Sequence, residues 1–173
     1  MQKLLFILLS LILISCEQKK KTFTESTFTI TGKTMGTYYS IKIDEENVDK
    51  EMIKKEIDEL LKSINNTFST YLKTSELSVI NSMPKGVQIK LSSDMNIVLT
   101  MAKKLFYETD GAFDPTVGPV VNRWGFGPDK DLEKPTTDEI KKLMVNVGVK
   151  HFTLKDGYLV KKTPNVYIDL SAI

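Results

Sequence analysis

Apolar and polar positions alternate along Phe28-Thr29-Ile30-Thr31 and again along Tyr39-Ser40-Ile41-Lys42-Ile43, the period of half-buried strands. Between them, Gly32-Lys33-Thr34-Met35-Gly36-Thr37 carries two glycines and predicts a turn or bulge. The period then lengthens. Ile53, Ile57, Leu60, Leu61, Ile64 and Phe68 recur at three and four residues, predicting a helix from about Val48 to Phe68 with one apolar stripe. Ser69 to Asn81 is polar, with Leu77, Val79 and Ile80 as anchors of mixed loop and short helix. Val87 to Leu91 reads as a short strand. Ser92 or Ser93 then caps a helix in which Val98, Met101, Ala102, Leu105 and Phe106 face the core.

That helix is expected to end near Thr109-Asp110-Gly111, and Asp114-Pro115 to open another short one. Thr136 and Glu139 have the spacing of a capping box. The stripe Ile140, Leu143, Met144 and Val147 follows, stopped by Gly148. Phe152-Thr153-Leu154 and Leu159-Val160 flank Asp156-Gly157, a hairpin signal. Val166 to Leu170 reads as one more strand. The expected class is α+β, one domain with a largely antiparallel sheet flanked by helices.

The N-terminus departs from this pattern. Lys3 precedes an apolar run from Leu4 to Ile14, broken only by Ser10, and then Ser15-Cys16. Such a layout predicts a secretory signal over residues 1–15, too short to span a bilayer. Leu13-Ile14-Ser15-Cys16 resembles the bacterial lipobox, which implies that Cys16 is lipidated and begins the mature chain. Residues 16–27, with Lys19-Lys20-Lys21, then read as a flexible tether, and 28–173 as the folded part. The implied location is the bacterial cell envelope, on the extracytoplasmic side of a membrane.

Charge narrows the function classes. Lys and Arg number 24 against 22 Asp and Glu, too balanced for a nucleic-acid coat, so no nucleic-acid partner is expected. With one Cys and one His, neither a Cys/His zinc site nor a disulfide framework can be built. His151 has no Cys or Asp motif around it and reads as a surface histidine.

Four segments go further: Gly32 to Thr37, Ser69-Thr70-Tyr71, Asp110-Gly111-Ala112-Phe113-Asp114-Pro115-Thr116-Val117-Gly118-Pro119, and Ile168-Asp169-Leu170-Ser171-Ala172. The third continues into Asn122-x-Trp124-Gly125-Phe126-Gly127. In order and spacing they resemble the ApbE family of flavin transferases, bacterial lipoproteins that bind FAD and Mg²⁺. The resemblance implies that Met35 packs on an aromatic ring system and that Tyr71 stacks on the isoalloxazine. It implies flavin-nucleotide contacts from Gly111, Ala112 and Phe113, an FAD contact from Asp169, and a main-chain carbonyl of Ala172 on Mg²⁺.

Plain structural readings stand beside these. The two glycines can simply bend a strand pair, and Tyr71 can close the core. The Gly111–Pro119 segment is a loop with a helix start, whose amides suit phosphate oxygens. Asp114 reads as a cap, and Trp124 and Phe126 as core or loop-packing aromatics. Asp169 is unusual at the end of an apolar strand, because an unpaired buried charge is costly.

The implied reaction moves FMN from FAD onto a threonine hydroxyl of a target protein and releases AMP. Family targets are flavin-carrying subunits of membrane redox complexes, and lipid anchoring would bring enzyme and target together. Family members continue past Ile173, where further Mg²⁺ ligands and FAD contacts are implied, so the 173-residue piece alone is expected to be inactive. Hydrolysis of FAD to FMN and AMP is an alternative, as is a non-enzymatic FAD-binding lipoprotein or a purely structural one.

Overall fold

In a computed structural model of the chain, the described residues are 27–45, 47–127 and 133–171. The signal segment, Cys16 with nearly all of its tether, and Ala172 lie outside them. Strand β1 (Thr27–Thr34) and strand β2 (Thr37–Asp44) pair antiparallel without interruption, from Thr27 opposite Asp44 to Thr34 opposite Thr37. Met35 (φ 48°) and Gly36 (φ 74°) make the two-residue turn. Two positive φ values in succession match the right-handed strand twist, and Gly36 adopts its value without Cβ strain.

Met35 and Gly36 therefore make a tight turn, and the ladder carries no bulge. Gly32 has a different task. It lies opposite Tyr39, whose ring occupies the space a Cβ would need.

The hairpin rests on helix α1 (Lys50–Phe68), which Asp49 caps by accepting from the Met52 amide at 3.0 Å. The Tyr39 hydroxyl donates to Asp58 Oδ1 at 2.6 Å, and Lys54 Nζ donates to Asp58 Oδ2 at 2.6 Å. The Lys54 and Tyr39 hydrogen bonds hold the Asp58 carboxyl below its ordinary value; the same Asp58 raises both partners. The apolar stripe of α1 exists but is only partly covered. No residue of this helix is fully buried, and Leu60 remains 62% exposed.

The core lies elsewhere. Helix α2 (Glu76–Ser82) and helix α3 (Ser93–Glu108) contribute Leu77, Ile80, Met95, Leu99 and Ala102 to it. Strands β3 (Gln88–Lys90), β4 (Phe152–Lys155) and β5 (Tyr158–Lys161) form an antiparallel sheet with β5 in the middle. Asp156 (φ 52°) and Gly157 (φ 76°) turn β4 into β5 as expected. Phe152 and Leu159 close the core from this sheet. Ser92 caps α3 through the Met95 amide. Met101, expected inside, is 50% exposed, because Met95, Leu99 and Ala102 define the buried face.

The class is α+β, with two small antiparallel sheets in place of one. A short helix α4 (Gly118–Arg123) and helix α5 (Thr137–Met144) complete the described elements, with a single 3₁₀ turn at Val149–His151. Helix α5 begins with the predicted capping box of Thr136 and Glu139. It is shorter than its stripe suggested, and Met144 is 48% exposed.

Two expectations fail. Asp114-Pro115 does not open α4, which starts at Gly118-Pro119. The Asp114 carboxylate instead accepts from the Thr116 amide (2.8 Å) and hydroxyl (2.6 Å), while that buried hydroxyl accepts from the Gly148 amide at 2.5 Å. Val166 to Leu170 buries alternate residues as a strand would but joins no ladder. Its Ile168 amide and carbonyl bond to the side chain of Asn81, each at 2.8 Å, and its Asp169 amide donates to the Pro115 carbonyl at 2.8 Å.

Candidate functional site

Short helix α4 links the expected site residues. At its C-terminal end, Phe126 donates its amide to the Val121 carbonyl (3.2 Å) and Gly125 to that of Asn122 (2.9 Å). This is a Schellman closure, with Gly125 at φ 80°. The Phe126 carbonyl accepts from the hydroxyl of Tyr71 at 3.1 Å, across 55 residues of chain. At the other end, a Cβ on Gly118 would meet the Tyr167 ring and Asp169 Cβ, so Asp169 packs directly on the helix start. Tyr71 and Asp169 therefore mark opposite ends of a helix about 9 Å long.

Tyr71 does not close the core. It is 59% exposed, yet fixed at both ends, because its amide donates to Ser69 Oγ at 3.1 Å. Trp124 and Phe126, expected as core or loop-packing aromatics, are 44% and 76% exposed, so neither belongs to the core. An open, immobilised aromatic face is what a flat ring system needs, so this part of the chain fits a flavin.

The Gly111–Phe113 segment differs from its phosphate-cradle reading. The Gly111 amide donates to the Phe106 carbonyl (2.8 Å), that of Ala112 to the Thr109 carbonyl (3.0 Å), and that of Phe113 to Thr109 Oγ1 (3.0 Å). All three close the C-terminus of α3, where Asp110 (φ 50°) and Gly111 (φ 81°) reverse the chain. The segment can offer a ligand its carbonyls and the exposed Ala112, but not those amides. The Asp169 carboxylate accepts from the Ser171 amide at 2.8 Å and is half-buried, so it is neither unpaired nor sealed.

Met35 stands apart at the exposed hairpin tip, where α1 is the main support of the strands. His151, expected at the surface, is half-buried, with Thr163 Oγ1 at 3.0 Å from Nδ1 and a buried Nε2. Among the described residues, no three His, Cys, Asp or Glu side chains converge on a possible metal position. They do not by themselves fit Mg²⁺.

Two positioning residues escaped the sequence reading. Asn81 holds Ile168 by both of its backbone groups, in the manner of a neighbouring strand. Lys161 is buried and donates to the carbonyls of Asn81 (2.6 Å) and Val166 (3.5 Å). Burial lowers its pKa from the ordinary lysine value. Lysine 161 shares a strand face with Leu159 by the two-residue period, so its burial was legible; the role of Asn81 had no local signal. A cavity of about 460 Å³ opens beside α4, lined by Asn81, Asn122, Arg123 and Tyr167, away from Tyr71. Its Arg123 is engaged with the Glu133 carbonyl (2.6 Å) and Glu139 (2.9 Å).

The family model for the ApbE family matches residues 35–173. The chain belongs to the ApbE family. It is 40% identical over 174 residues to a FAD:protein FMN transferase of Haemophilus influenzae, covering 95% of this chain and 49% of that protein. A Vibrio cholerae protein of the same name is 39% identical over 147 residues, covering 83% of this chain and 44% of its own length. The solved structure of the flavin transferase ApbE from Vibrio cholerae superposes with a TM-score of 0.80 at 38% identity, over 85% of this chain and 48% of that one. The chain thus spans about half the length of the curated relatives it matches. In this fold Tyr71 and Asp169 sit against opposite ends of α4.

Proposed function

We propose that the protein of which this chain forms part transfers FMN from FAD to a threonine hydroxyl of a target protein and releases AMP. The observation that carries this reading is Tyr71, an exposed ring held at both ends within an ApbE-family framework. In the reaction the hydroxyl oxygen forms a bond to the FMN phosphorus. The bond from that phosphorus to the bridging oxygen breaks, AMP leaves with the bridging oxygen, and the hydroxyl proton passes to solvent or a base. Tyr71 orients the flavin by stacking. Asp169, an acceptor when ionised, suits a hydroxyl or N–H of the nucleotide. The reading includes Mg²⁺, which would neutralise pyrophosphate charge, with the Ala172 carbonyl as the ligand from this chain. It also includes lipidation at Cys16, which would hold the enzyme on the extracytoplasmic side of a membrane near a flavin-carrying redox subunit.

The test is incubation of the intact protein with FAD, Mg²⁺ and a threonine-bearing acceptor, followed by mass spectrometry. An FMN adduct on the acceptor with equimolar AMP is the expected result. Free FMN and AMP without an adduct would replace transfer by hydrolysis. Absence of FAD binding would remove the flavin reading altogether.

A further inference from the structure

We propose that Phe126 is a second aromatic wall of the flavin site and that its carbonyl sets the angle of Tyr71. The proposal rests on the flavin-transfer reading and adds a binding residue to it.

The backbone of Phe126 is fixed on both sides. Its amide closes α4 on Val121, and its carbonyl receives the Tyr71 hydroxyl. The neighbouring turn is equally constrained, because Gly125 adopts φ 80° and a Cβ on Gly127 would strike Asn122. In a Schellman closure, the apolar side chain after the glycine ordinarily packs back on the last helical turn. Phe126 does not; its ring is 76% exposed.

A large apolar ring on an immobilised backbone gains nothing from solvent, and the carbonyl beside it holds another exposed ring in place. The fixed backbone of Phe126 and the tethered ring of Tyr71 lower the ordering cost of binding a flat aromatic ligand beside them. The isoalloxazine of FAD is the occupant that fits this pair. The choice of isoalloxazine over adenine rests on the flavin-transfer reading, in which Tyr71 stacks on the flavin.

Equilibrium binding of FAD and FMN to the intact protein, read by flavin fluorescence, tests this directly. Phe126→Ala is expected to weaken both ligands roughly threefold to tenfold, with an unchanged melting temperature because the ring is exposed. Phe126→Tyr should restore binding, whereas Phe126→Leu should restore only part of it. Tyr71→Phe, which removes the tether but keeps the ring, should weaken FAD about twofold to threefold. Wild-type affinity in Phe126→Ala, or failure of Phe126→Tyr to recover it, would overturn the proposal while leaving flavin transfer intact. A wild-type protein that binds no FAD would overturn both.

Discussion

The β1–β2 hairpin with α1 and the body built from α2, α3 and the β5-centred sheet are held together by different forces. Both carry clear periodic patterns, yet only the body closes a core, with Leu77, Ile80, Met95, Leu99 and Ala102 fully buried. In the hairpin Ile30 alone is buried, and α1 buries nothing completely. There the contacts are the Tyr39–Asp58–Lys54 triad and the Lys50 ammonium 4.6 Å from the Phe28 ring centre. Amphipathic periodicity states which face is available for burial. It does not state that something covers it.

The largest effect that would sharpen this contrast comes from truncation at matched leucines. Leu99→Ala should cost about 3 kcal/mol in urea unfolding, whereas Leu60→Ala should change stability by less than about 0.5 kcal/mol. Equal losses would mean that α1 is covered as fully as the body. Next is Asn81→Ala, which leaves the amide and carbonyl of Ile168 without their partner. A loss of about 2 kcal/mol is expected, with hydrogen exchange rising first at Ile168 and Asp169. If exchange there is unchanged, the extended segment is held by packing alone.

Gly32→Ala should perturb the hairpin by about 1 kcal/mol, because the Tyr39 ring must move; Gly32→Ala combined with Tyr39→Ala should show no such penalty. The smallest effect is electrostatic. The Thr136 amide first, then the Arg123 and Thr136 side chains, hold Glu139 at about 2, below its ordinary 4.5. A depressed carboxyl stabilises the fold above its unfolded value and loses that contribution as pH falls toward the folded one. Circular dichroism of α5 should therefore weaken between about pH 4.5 and pH 2, and Glu139→Gln should flatten that part of the curve.

Local chemistry was legible at most helix caps and at the hairpin turn, though the bond of Asp114 to Thr116 was missed. Ser92 caps α3, Thr136 and Glu139 box α5, and Asp156-Gly157 turns the hairpin, each through groups within three residues. The family motifs were legible for the same reason, as contiguous strings. The direction of side chains within those strings was not. Phe126 and Trp124 have the apolar character of core residues, yet the fold leaves them 76% and 44% exposed.

The sequence by itself determined the α+β class, most element positions, the Asp156-Gly157 turn and membership of the ApbE family. Tertiary structure alone decided that Val166 to Leu170 pairs with a side chain and no strand, and that the Thr116 hydroxyl takes the Gly148 amide. The physical reason is the same for both. A backbone group accepts whichever partner removes it from water at least cost, and that partner can lie 87 residues away, as Asn81 does from Ile168.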